Sequence, residues 1–210
     1  MNATTEKTTD LLVAVLADLE PMVGRITGEQ LHDPTPCTEL DVGQLRTHVL
    51  GWLTTFAAGF ADAGGQAPLD RLEGYSVPAD PAAEVRSASG SMAAALHGGA
   101  AGRPMRLGNS AMPGDMALSM ILWEYQVHGW DLARATGQPW SPPAAAAQES
   151  LEFAPGMLTE DYQGDGKAFA PRVPVPATAS PLDRLLGLSG RDPAWPGRSP
   201  EGARSREDAP

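Results

Sequence analysis

Residues 115–137 read DMALSMILWEYQVHGWDLARATG, and this stretch decides the fold. Leu118, Ile121, Leu122, Tyr125 and Leu132 recur with the 3.6-residue period of an amphipathic helix. Asp115 suits its first turn, and Gly137 stands where a left-handed residue closes a helix. Within it Glu124 and His128 are spaced i, i+4, which puts both side chains on one face about a turn apart.

Working towards the N-terminus, segment 98–115 is rich in Gly and Pro, with Met105-Arg106-Leu107 as a short extended piece. Before it, Asp80 and Pro81 open an Ala-rich helix over 80–97 with Val85, Met92 and Leu96 as its large apolar residues. Asp41 caps another helix striped by Val42, Leu45, Val49, Trp52, Leu53, Phe56 and Phe60, which Gly64 and Gly65 end. Residues 33–40, DPTPCTEL, form the loop ahead of it. The first helix covers 9–26, with Leu12, Val15, Leu16, Leu19, Val23 and Ile26 inward. Thr8 or Thr9 is its expected cap, and Pro21 is expected to kink or restart it. Towards the C-terminus, a shorter helix covers 143–153, Val173-Pro174-Val175-Pro176 is extended, and 181–188 is one short helix. The residues from 197 to 210 read as disordered. No second-domain boundary is visible, so the expectation is one all-α domain over 1–196.

Composition narrows the function. The chain has 210 residues, 42% apolar and 20% charged, which is ample for a core without disulfides. A net charge of −11 disfavours nucleic-acid backbones and anionic lipid. A single cysteine, Cys37, excludes a disulfide framework and a Cys-rich metal site. With neither a signal-like leader nor an apolar run of about 18 residues, the expectation is a cytoplasmic protein.

His48 sits at the edge of the second stripe. With Glu124 and His128 it would supply two imidazoles and one carboxylate from facing helices, the way helical bundles build metal sites. Three protein ligands leave a position open for water or substrate. The set suits zinc, and iron, nickel or cobalt as alternatives. On spacing alone the ordinary readings stay open: an i, i+4 ion pair for Glu124 and His128, a satisfied boundary residue for His48. Asp131 is a candidate to orient His128, or else pairs with Arg134. Trp52 is a candidate pocket wall. Arg86, Arg103 and Arg106 are candidates to hold an anionic substrate group. Cys37, without a neighbouring base in sequence, reads as a bystander, Tyr125 as core, and His32 and His97 as solvated.

Residues 123–137 resemble the signature helix of actinobacterial proteins related to mycothiol-dependent maleylpyruvate isomerase, within the DinB-like metal-binding superfamily. The segment Pro34 to Gly51, a Pro-rich loop leading into a helix with His48-x-x-Gly51, resembles that family's other landmark. The stretch Val173 to Trp195, with Gly190-Arg-Asp-Pro, is similar to its C-terminal part. The resemblance implies a DinB-like antiparallel four-helix bundle with short extra C-terminal helices, and a metal site on His48, Glu124 and His128. It implies a metal-dependent enzyme that activates a small thiol, mycothiol, for S-transfer to or isomerisation of a small electrophile. A metal-dependent hydrolase or lyase-type enzyme and a non-catalytic sequestration protein remain the alternatives, as do monomer and dimer.

Overall fold

A computed structural model describes residues 3–167 and 169–197. Its elements are α1 (Ala3–Gly24), α2 (Val42–Ala61), β1 (Gln66–Ala67), α3 (Asp70–Glu73), α4 (Pro81–His97), β2 (Met105–Leu107), β3 (Ser110–Met112), α5 (Gly114–Thr136), α6 (Ala144–Met157) and α7 (Pro181–Leu188). Local chemistry sets the ends. The Asp41 carboxylate accepts from the Gln44 amide at 2.8 Å, and the Gln44 side chain accepts from the Asp41 amide at 3.0 Å. Asp80 caps α4 through the Ala83 amide at 2.9 Å. Gly137 ends α5 with φ +69°.

Two expectations about α1 are corrected. Thr8 and Thr9 do not cap it. The helix starts earlier, and both hydroxyls donate back to the carbonyls of Thr4 and Thr5, at 3.0 and 2.8 Å. Nor does Pro21 break it: the helix runs on through Pro21 to Gly24 without restarting. It forfeits one N–H near the helix end, where the fully buried Leu19, Met22 and Val23 hold the last turn.

The four long helices α1, α2, α4 and α5 pack around one core, and side-chain contacts fix their directions. Glu20 meets Arg86 and Asp10 meets His97, so α1 and α4 run antiparallel. His48 meets His128, and the Tyr125 hydroxyl donates to the Val49 carbonyl at 2.9 Å. Thr4, Thr5 and Thr8 lie beside Asp115, Leu118 and Ser119, and Gln138 just past α5 donates to the Met22 carbonyl, so α1 and α5 run the same way. The purely antiparallel arrangement expected from sequence is therefore corrected. Its physical reason is the connection 62–80, which climbs back along α2, with Ala67 beside Gly59 and Tyr75 beside Gly51. This return lets α4 descend in the direction of α2.

The fold is mostly helical, but the all-α expectation is also corrected. A small mixed sheet has order β1-β2-β3, with β1 parallel to β2 and β2 antiparallel to β3. Strands of two or three residues are too short to show a period in sequence; only the Met105–Leu107 piece was legible.

The apolar stripes form the core as expected, with Trp52 alone left partly exposed among the large residues named for α2. A second apolar cluster lies on the other side of α5, where Trp123, Val127 and Trp130 meet α6, α7 and Leu158. The Trp123 indole donates to the Ser189 hydroxyl at 2.8 Å. α5 is thus buried on both sides, which fixes Glu124 and His128 firmly. The tail expectation for 197–210 falls, apart from Gly197, outside the described residues. No helix among the described residues is long and apolar enough to cross a membrane.

Candidate functional site

α2 and α5 cross with His48 facing His128, ring centroids 5.3 Å apart and nearly perpendicular. His128 Nε2 lies 3.2 Å from Glu124 Oε2. His128 thus touches both Glu124 on its own helix and His48 on α2, and all three line one cleft, although their ligand atoms do not all lie within 4.8 Å of one another. His48 stands exposed at the rim, while the His128 and Glu124 side chains are mostly covered.

Behind His128 the protein is dry and charged. Its Nδ1 donates to Asp131 Oδ2 at 3.1 Å, and Asp131 is fully buried. The Arg191 guanidinium donates to the same carboxylate from Nη2 at 3.0 Å and from Nε at 3.3 Å, and from Nη1 to the Ser189 carbonyl at 3.1 Å. This buried pair holds the imidazole orientation and directs Nε2 towards Glu124. Burial pulls the His128 pKa down, but its hydrogen bonds to the Asp131 and Glu124 carboxylates outweigh it and raise it to about 9. Burial and the neighbouring His128 lower that of His48. For Arg191 burial opposes the charge, and Asp131 overcomes it.

In front of the histidines lies a cleft of about 310 Å³, lined by His48, Val49, Trp52, Phe56, Leu107, Met120, Glu124, Tyr125 and His128. Apart from the cluster itself its walls are apolar. Trp52 stacks on Phe56 at 5.1 Å and meets the His48 ring edge-on at 6.5 Å, so it serves as a wall. Tyr125 also lines it, but its hydroxyl is tied to Val49 and burial raises its pKa well above the phenol range.

The three arginine candidates do not line this cleft. Arg86 pairs with Glu20 on the α1–α4 surface. Arg103 donates to the Phe60 and Asp62 carbonyls and closes the end of α2. Arg106 is exposed on β2, and only its neighbour Leu107 reaches the cleft, because successive strand residues face opposite ways. Arg134 does not take Asp131. It donates to the Trp195 carbonyl at 2.8 Å and lies over the Trp130 ring. Two residues at the site were missed. Arg191 is far away in sequence, although Gly190-Arg-Asp-Pro had marked the segment. Cys37 is no bystander by position: its sulfur, a His128 ring nitrogen and an Asp131 oxygen lie within 4.8 Å of one another, a possible cation site. Two features weigh against that set. Burial raises the Cys37 thiol pKa, and Arg191 already occupies the Asp131 carboxylate with a positive charge.

Fold and site together define a mostly helical protein with His48, Glu124 and His128 among the residues lining an apolar cleft. The family model described as the mycothiol maleylpyruvate isomerase N-terminal domain matches residues 12–133, and the chain belongs to that family. It is similar to two uncharacterized proteins of Mycobacterium tuberculosis, one from each of two strains. Each is 29% identical over 173 residues, covering 81% of this chain and 90% of the relative. No solved structure matches the chain.

Proposed function

We propose that the chain is a metal-dependent enzyme of DinB-like bundle architecture, one domain over 1–196, that uses a low-molecular-weight thiol, mycothiol, to transfer sulfur to or isomerise a small electrophile. The contacts of His128 with Glu124 and with His48, all three lining one apolar cleft, support this reading. The donor set fits a divalent cation, zinc first and iron, nickel or cobalt next: two imidazoles and one carboxylate, with an open side facing the cleft. Such a cation supplies charge that favours thiolate over thiol, and a free thiol near pKa 8.5 is only a few per cent ionised at neutral pH.

The chain's own residues do the rest. Asp131, held by Arg191, accepts from His128 Nδ1 and leaves Nε2 as the ligand atom. Trp52, Phe56, Met120 and Leu107 exclude water from the electrophile. Glu124 acts as a ligand, and no further histidine or carboxylate faces the cleft among its lining residues. An adduct that persists makes the enzyme an S-transferase; one that loses sulfur after bond rotation makes it a cis–trans isomerase.

The test is metal analysis of the purified protein and of His128→Ala, followed by assays of a halodinitrobenzene and of maleylpyruvate with and without mycothiol. The expected result is metal in the wild type, its loss in the variant, and turnover only when metal and thiol are both present. Thiol-independent turnover would move the protein to the hydrolase or lyase class. Tight binding of the electrophile without turnover under any thiol or metal would make it a sequestration protein.

A further inference from the structure

The cleft ends at His48, but a second concavity begins there. A shallow groove of about 800 Å³ shares His48 with the cleft and continues over Gln44, Thr47, Arg46 and Tyr75. The two differ in chemistry. The cleft walls beyond His48, Glu124 and His128 are aromatic and aliphatic, whereas the groove mixes polar side chains, Asp41 and Arg46 among them, with Leu31 and Val77.

Arg46 is the unusual group in this groove. Its Nε is sealed from solvent with no hydrogen-bond partner among the described residues. The nearby acids are already engaged. Asp41 caps α2 and lies 3.5 Å from His32, and Glu84 accepts from the Tyr75 hydroxyl. A half-buried guanidinium with a sealed, unpaired Nε is incompletely compensated, and an arriving anion would supply the missing partner.

We propose that the groove beside His48 is a second subsite in which Arg46 binds an anionic head, so that the electrophile is an amphipathic carboxylate with its apolar body in the cleft. The inference rests on the reading of His48 as part of the reaction centre, and it names the substrate class of that same site. An apolar body finds its walls in Trp52, Phe56 and Met120, and the cleft itself offers the head no guanidinium or ammonium. A charge-assisted guanidinium–carboxylate pair supplies orientation as well as affinity.

The probe pair is 2-naphthoate and 2-naphthamide, which share a body and differ in charge. Their affinities are measured by calorimetry on the zinc-loaded and the metal-free full chain, for the wild type, Arg46→Gln and Arg46→Lys. The expected result is that wild type binds the carboxylate about tenfold or more tighter than the amide. Arg46→Gln removes the preference and Arg46→Lys keeps part of it. Equal affinities for the pair on the wild type overturn the proposal, and this arm needs no variant to fold. A preference that survives Arg46→Gln but vanishes with the metal puts the anion on the cation and overturns it too. A preference that follows Arg46 in a protein without thiol-dependent turnover leaves this subsite standing and removes only the thiol reading.

Discussion

Asp131 shows how much a single buried carboxylate decides. It has no exposure, takes hydrogen bonds from His128 and Arg191, and so fixes an imidazole on one side and a guanidinium on the other. Asp131→Ala would strand Arg191, whose side chain is 9% exposed, as a buried unpaired cation. Breaking such a pair from one side costs on the order of 3–5 kcal/mol. The expected outcome is a markedly lower melting temperature by calorimetry, together with weaker metal retention. An unchanged melting temperature would mean that water solvates Arg191 in the fold. Cys37 gives a second test at this scale. Burial raises its pKa, so the thiolate is scarcer at pH 8 than in a free thiol, and alkylation needs the thiolate. Iodoacetamide labelling of the folded protein, followed by mass spectrometry, should be much slower than labelling of a small thiol and should reach that rate only on unfolding. His48, Glu124 and His128 were legible because spacing and stripe edges are local properties. Arg191 and Cys37 were not, because a loop at 33–40 and a segment after α7 reach the site only through tertiary packing. Arg86 and Arg103 misled for the matching reason: an arginine's partner, Glu20 or a helix-end carbonyl, is invisible until the chain is folded.

At the scale of elements, α5 carries the molecule. One side packs into the main core through Leu118, Ile121, Leu122 and Leu132, and the other packs under α6 and α7 through Trp123 and Val127. Ile121→Asp would bury a charge with no partner, so the protein should fail to give a cooperative melting transition. Wild-type melting in that variant would mean the stripe is misassigned. Gly129 tests the opposite side. A Cβ there would lie 2.2 Å from the Trp140 ring, whose indole donates to the Gln126 carbonyl at 3.2 Å. Gly129→Ala should therefore cost about 1–3 kcal/mol by overpacking, despite the better helix propensity of alanine, and urea titration reads the difference. Helix positions were legible to within a few residues because capping and periodicity are written locally. Helix directions were not. They depend on what 62–80 does, and its two-residue strand and four-residue helix leave no periodic trace.

For the molecule as a whole, charge sets the response to pH. The unfolded histidine pKa is near 6.5, and in the metal-free fold His128 is raised to about 9. A group whose pKa is higher in the folded state binds its proton more tightly there. It adds stability that is fully present below about pH 6.5 and is lost as pH climbs through about 9. The net charge of −11 works in the same direction, since added negative charge increases self-repulsion as pH rises. The two effects separate by substitution. His128→Gln removes one titrating group and leaves the acidic surface unchanged. Metal-free wild type should lose melting temperature between about pH 6.5 and 9, and His128→Gln should lose distinctly less over the same window. Parallel curves for the two proteins would mean that Asp131 and Glu124 do not hold a proton on His128, and that self-repulsion alone produces the decline.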